Sequence, residues 1–319
     1  MIDRVDSQYW LCIWVLPMID RRDFFQSCLL ATLAGSARFS LAAHHVSSKP
    51  SLGFSLYGMK SLSLELALKT CAEIGYSHVE FALNEGYPTF PTKFSAEDRQ
   101  AAQTQLDKLK LKLPCMMLNL SLTADAKTQD SYLEAIKTAG QLSHELAPDN
   151  PPFLESILGG SPTTWDQQKQ LMLDNLHRWA EAAGQAKISI AIKAHVRSAV
   201  NSPERLLWLV EQVKSPTILV AYDYSHFELQ GIGLRDSMSI LLPRTKFIHV
   251  KDAVGNAEKF EFLLPGQGKT DYAQYFSLLR EFGYRGPVCV EVSSQVFNKP
   301  EYDPIQAAQS CYQVLSEAM

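Results

Sequence analysis

Two hydrophobic periods alternate along the chain from residue 50 onward. Apolar and β-branched runs of strand length occur at 51–58, 77–83, 113–120, 152–159, 188–195, 217–226, 246–252 and 286–293. Between them, apolar residues recur three and four positions apart over 61–75, 95–110, 127–146, 165–184, 203–213, 233–242, 271–283 and 304–318. The first spacing is that of strands and the second that of amphipathic helices. The helix signals carry their own punctuation. A serine precedes the first helix and Gly75 follows it, Ser95 and Asp98 form a capping-box pattern, and Gly283 stands at the end of 271–283. Eight strand–helix units predict an α/β fold, a (β/α)8 barrel over residues 50–319 in one domain. A doubly wound open sheet would ask for a glycine-rich phosphate loop after the first strand, and LGFSLYGMKSLS is not one.

Polar residues end the later strands. The runs ISIAIKAH, ILVAYDYSH, KFIHVKD and GPVCVEVS supply Lys193, Asp223, His226, His249, Lys251 and Glu291. Side chains two apart on a strand share a face, so Lys193 pairs with His195, His249 with Lys251, and Cys289 with Glu291. In a barrel, the inward residues at the C-terminal strand ends form the site. Asp223, His249 and Glu291 on three strands are a donor set for a divalent metal, Mn²⁺, Mg²⁺ or Zn²⁺. His226 is expected in the turn after the sixth strand. Glu80 in HVEF and Glu155 on the fourth strand are further rim carboxylates, as substrate or supporting groups. Trp165, Trp179 and Trp208 fall on helical patterns and are read as packing, His177 as surface, and Cys289 as a small apolar residue inside the barrel.

Composition narrows the partners. The 319 residues are 46% hydrophobic and 20% charged, with a formal net charge of −4, which gives no electrostatic reason to bind nucleic acid or an anionic membrane. Six cysteines show no zinc-like spacing and no disulfide framework.

The N-terminus reads as an address. Arg21-Arg22 and Phe24-Phe25 open a moderately apolar stretch that ends in small residues near Ala42-Ala43, the pattern of a twin-arginine export signal over 18–43. Met18 would be a natural start, which makes residues 1–17 an over-long gene start. The expectation is recognition by the twin-arginine machinery and a periplasmic or equivalent location.

The ordered motifs YDYSH (222–226), HVKD (249–252), GQGKTDY (266–272), GYRG (283–286) and VEVS (290–293) resemble the sugar phosphate isomerase/epimerase superfamily, the xylose isomerase-like TIM barrels. The likeness covers about residues 50–318. It implies metal ligation by Asp223, His249 and Glu291, and a substrate or supporting role for His226. One position departs from it. Lys193 stands where the family usually carries a metal-binding Glu, and an ammonium has no lone pair to give. Three readings stay open: a metal held by Asp223, His249 and Glu291 with help from Glu155 or His195; a metal-free site in which Lys193 polarises a carbonyl or forms a Schiff base; and a barrel that binds without turnover. The expected function is a sugar or polyol isomerase or epimerase that abstracts a proton next to a carbonyl. Glu291 would be the base, His226 or His195 a proton shuttle, and Lys193 a catalytic cation. His195, Lys251 and Glu80 would bind substrate, with Lys251 and Asp252 orienting the site from the rim. The alternatives are a metal-independent lyase or hydrolase centred on Lys193 and acting on keto-sugars, or an exported sugar-binding protein. The export signal, the acidic chain and the few well-placed histidines oppose DNA cleavage.

Overall fold

A computed structural model describes residues 50–319; the expected gene start and export signal lie outside the described residues. Eight parallel strands close into a barrel: β1 (Ser51–Ser55), β2 (His78–Ala82), β3 (Lys112–Met117), β4 (Phe153–Ile157), β5 (Ile190–Lys193), β6 (Ile218–Asp223), β7 (Thr245–Val250) and β10 (Pro287–Val290). They run in sequence order around the ring, β10 pairing with both β1 and β7. The main helices are α1 (Leu64–Ile74), α2 (Ala96–Leu109), α3 (Ala126–Leu146), α4 (Trp165–Gln185), α5 (Pro203–Val213), α7 (Leu234–Leu241), α8 (Tyr272–Glu281) and α10 (Pro304–Ala318). Short helices α6 (Tyr224–Glu228) and α9 (Ser294–Phe297) follow β6 and β10.

Local chemistry sets these boundaries as expected. The Ser63 side chain accepts from the Leu66 N–H at the start of α1, and Gly75 ends that helix at φ 113°, a left-handed conformation that a Cβ would strain. Ser95 and Asp98 satisfy each other's backbone at the start of α2. Two elements differ from the sequence reading. His226 lies in the one-turn helix α6 rather than a turn, because the Asp223 side chain caps that helix by accepting from Ser225 N. An antiparallel hairpin of β8 (Asp252–Gly255) and β9 (Phe260–Leu263) follows β7.

The two faces of the barrel wall have different cores. Ile190, Ile192 and Val220 belong to the large helix-facing core, whereas Ala191 and Ala221, which alternate with them, join Cys115, Phe247 and Cys289 in a separate small cluster. Alternation therefore assigns that cluster to the barrel interior and points Lys193, two residues beyond Ala191, inward above it. Trp165 and Trp179 are buried in the helix-facing core, Trp208 packs against it, and His177 is exposed, all as expected. The four described cysteines, Cys71, Cys115, Cys289 and Cys311, are free and buried.

Candidate active site

Strands β2, β4, β5, β6 and β7, and the residue just after β10, each bring an ionisable side chain into the barrel: Glu80, Glu155, Lys193, Asp223, His249 and Glu291. All six are buried. The centre of the group is Lys193. Its Nζ lies 2.9 Å from His249 Nδ1, 3.1 Å from Glu291 Oε2 and 3.2 Å from Glu155 Oε1. Lys251, one residue past β7, adds a second ammonium. It donates to Asp223 Oδ2 and, at 2.6 Å, to Glu291 Oε2. Lys251 is thus a buried bridge inside the site, deeper than the rim position its sequence suggested.

These contacts set the protonation pattern. Burial pushes the Glu291 carboxyl up, but the two ammoniums more than reverse this and hold it far below the usual range. Burial likewise opposes the Asp223 charge, and Lys251 and His226 hold that carboxyl well below its ordinary value. For Lys193, burial disfavours the charge, and Glu155, Glu291 and Asp223 outweigh it, so the ammonium persists. Glu155 is sealed from solvent; burial pushes it up, against the pull of Lys193. His249 is pushed down by burial and pulled up by Glu80, with a net rise. Its Nε2 donates to Glu80 Oε2 at 2.9 Å. The nitrogen facing the ammonium must accept, so the proton sits on Nε2 and the lone pair on Nδ1.

Two neutral imidazoles stand beside this cluster. The His226 Nδ1 accepts from Val196 N–H at 3.4 Å while Nε2 faces Asp223 Oδ2 at 3.4 Å. The His195 Nδ1 accepts from Arg197 N–H at 3.2 Å. Burial, opposed in part by Asp223, lowers His226 to about 4; burial and the neighbouring His226 and Lys251 lower His195 to about 2. The rings lie 4.3 Å apart, centroid to centroid.

A cavity of about 110 Å³ opens on these groups, lined by Lys193, His195, His226, Lys251 and Glu291 together with Tyr57, Asn119, Ile157, Phe262, Ser293 and Ser294. The sequence reading missed the latter six. Phe262 belongs to the hairpin, where the alternation of Phe260 and Phe262 in KFEFLL was a legible strand signal. Its ring covers Lys251 Nζ at 5.0 Å and meets His226 edge-on. Tyr57 sits in a 3-10 turn directly after β1, within what the sequence presents as one continuous strand. Glu80 and Glu155 do not line the cavity. They act from beneath it, on His249 and Lys193. Asp252 is a positioning group: its carboxylate accepts from Gly266 N, Gly268 N and the Tyr272 hydroxyl at 2.7–2.9 Å, which accounts for the GQGKTDY motif. A Cβ on Gly268 would lie 2.8 Å from Asp252 Cβ, so only glycine lets that amide approach.

The donors expected of a metal site are gathered, since ligand atoms of Asp223, His249 and Glu291 lie within 4.8 Å of one another. Their acceptor atoms, however, already face ammonium protons: His249 Nδ1 and Glu291 Oε2 from Lys193, Asp223 Oδ2 and Glu291 Oε2 from Lys251. Each ammonium repels a divalent ion placed among the same acceptors and already engages the nitrogen and oxygen atoms that the ion would need. With both lysines in place, these residues do not fit a divalent ion, and Glu155 faces Lys193 instead of completing a ligand set.

Known proteins share this architecture. An inosose dehydratase of Geobacillus thermodenitrificans is 26% identical over 51% of this chain, and the match spans 57% of that protein. A putative L-ribulose-5-phosphate 3-epimerase of Haemophilus influenzae is 20% identical over 81% of this chain and 94% of its own length. A solved structure of the IOLI protein with a bound zinc atom superposes with a TM-score of 0.70 at 18% identity, covering 84% of this chain and 99% of that one. The model of the xylose isomerase-like TIM barrel family matches residues 68–313. With the closed eight-stranded barrel, that match makes this chain a member of the xylose isomerase-like TIM barrel family.

Proposed function

We propose that this barrel is an enzyme that moves a proton at the carbon next to the carbonyl of a keto-sugar or cyclic polyol ketone, in isomerisation, epimerisation or β-elimination. One observation carries the reading: the Glu291 carboxylate and two lysine ammonium groups that can polarise a carbonyl oxygen line the same small cavity. Relatives named as an inosose dehydratase and a ribulose-5-phosphate epimerase support the substrate class.

In this mechanism the carbonyl oxygen lies against Lys193 or Lys251 and takes a hydrogen bond from it. Glu291 removes the neighbouring C–H proton, and the electron pair moves onto the oxygen as an enolate, which the ammonium stabilises. Glu291 then gives the proton up again, to the other carbon in isomerisation or to a β-hydroxyl that leaves as water in elimination. The neutral imidazoles of His195 and His226 line the same cavity, each with Nδ1 held by a backbone N–H. The persistent ammonium of Lys193 has no lone pair for imine formation, which favours this role over a Schiff base. The twin-arginine leader would deliver the folded barrel across the membrane, to unphosphorylated substrates.

The test is incubation with a panel of keto-sugars and inososes in D2O, followed by proton NMR. Loss of the signal from the carbon next to the carbonyl, absent with Glu291→Gln, supports the reading. Ligands that raise the melting temperature yet never exchange a proton would overturn it in favour of a binding protein.

A further inference from the structure

We propose that this site works without a divalent metal, and that the Lys193 ammonium is the resident cation around which its acceptors are built. The inference deepens the proposed function and rests on it for the cation's task, which is to meet the substrate's carbonyl oxygen. Three features of the structure carry it.

First, Lys193 stands at the centre of the site's acceptors. Its Nζ bonds to His249 Nδ1 at 2.9 Å and Glu291 Oε2 at 3.1 Å, and it forms an ion pair with Glu155 Oε1 at 3.2 Å, so β4, β7 and the residue just after β10 each bring it a partner. Second, His249 is oriented as a metal-binding imidazole is oriented. A carboxylate, Glu80, holds its outer N–H and so presents the lone pair of the inner nitrogen to the centre of the site. The atom that receives this lone pair is Lys193 Nζ. Third, the lysine cannot step aside for an incoming ion. Its side chain is 2% exposed, and Glu155, at 0%, has Lys193 as its ion-pair partner. Moving Nζ away would strand a carboxylate inside the barrel. Lys251 occupies the remaining Asp223–Glu291 edge, so the acceptors are shared between two tethered cations.

The chemical consequence is a different kind of electrophile. A metal can chelate two oxygens of a substrate at once, whereas an ammonium offers single hydrogen bonds. The site therefore suits a substrate that presents one carbonyl oxygen and is oriented by the other cavity walls.

The experiment uses untagged wild-type protein and the Lys193→Glu variant, assayed for metal content by ICP-MS and for melting temperature with EDTA, Mn²⁺ or Zn²⁺. The expected wild type holds no stoichiometric metal, and its melting temperature moves with none of the additions. Lys193→Glu is expected to gain close to one metal ion per chain and to melt higher when Mn²⁺ or Zn²⁺ is added. Near-stoichiometric metal in the wild type, with a melting temperature that falls in EDTA, would overturn the inference. So would a folded Lys193→Glu variant that takes up no metal. Should that variant fail to fold, the wild-type measurements decide alone. Proton exchange in D2O is read separately. A metal-free wild type with no exchange on any ketone sinks the proposed function and leaves the built-in cation, whereas a metal-loaded wild type that exchanges does the reverse.

Discussion

Replacing Lys193 by methionine keeps an unbranched apolar stem and removes the charged end. Glu155 then loses its cation in a place without solvent, Glu291 keeps only Lys251, and His249 Nδ1 loses its donor. Breaking a buried pair by removing one partner costs about 3–5 kcal/mol. For a domain of this size each kcal/mol lowers the melting temperature by about 2–4 °C, so Lys193→Met should melt roughly 6–20 °C lower near neutral pH. The loss should depend on pH with a definite sign. In the wild type, the Glu291 carboxyl is depressed below its ordinary 4.5, so its contribution is present above 4.5 and fades only as pH falls through the much lower folded value. In the variant, burial acts on Glu155 with no ammonium to oppose it. That raised carboxyl penalises the fold above its folded pKa and ceases to do so once protonated. Equilibrium urea denaturation at pH 8 and pH 5 should therefore show a larger gap between wild type and variant at pH 8. A loss below about 1 kcal/mol, the range of an exposed pair, or a gap equal at both pH values, would refute the buried-cation account.

Other substitutions probe separate parts of the site. Glu291→Gln should lower proton-exchange rates by about 10²–10⁴, the usual contribution of a general base, while leaving the circular dichroism of the barrel in place. Asp252→Ala removes the acceptor of two amides and a tyrosine hydroxyl; with hydrogen bonds to a charged group worth about 1.5–3 kcal/mol each, urea denaturation should show a loss of several kcal/mol. Acid should weaken the wild type early. Burial depresses His78, His195 and His226 below their ordinary 6.5, to about 4, 2 and 4, so the unfolded chain binds their protons first. The part of the stability carried by these three should be full above pH 6.5 and fall from there toward pH 4, His249 with its raised value acting in the opposite sense, and His78→Gln should flatten the acid slope by up to about 1.4 kcal/mol per pH unit.

Much of this molecule was legible in the sequence because its two periods do not overlap. Eight runs of period two and eight of helical period, with caps at Ser95 and Gly75, leave little choice but alternating strands and helices. The polar residues at the strand ends were legible for the same reason. His249 and Lys251 share a face even though β7 stops at Val250, since the alternation persists one residue past the last ladder bond. The hairpin was not legible as a unit. Its strands are four residues each, and Asp252 reads as the tail of the seventh strand. Nor could spacing show that Glu155, His249 and Glu291 converge on one nitrogen, because that distance is set by closure of the ring between strands far apart in sequence. Sequence established that a lysine stood among carboxylates; only the closed barrel gives it three partners.

The β8–β9 hairpin bonds to itself and to no barrel strand. Side chains on both flanks hold it down: Arg197, whose guanidinium stacks on Phe260 at 4.9 Å, and on the other flank Gln295 and Lys299, bonded to Phe262 N and Glu261. Lifting it breaks no rung of the β-ladder. Access to the cavity and the rigidity of the ring beneath are therefore separable properties of this chain. Sequence changes at Arg197, Gln295 or Lys299 should alter how readily the cavity opens to a small molecule, without touching the ionic cluster below.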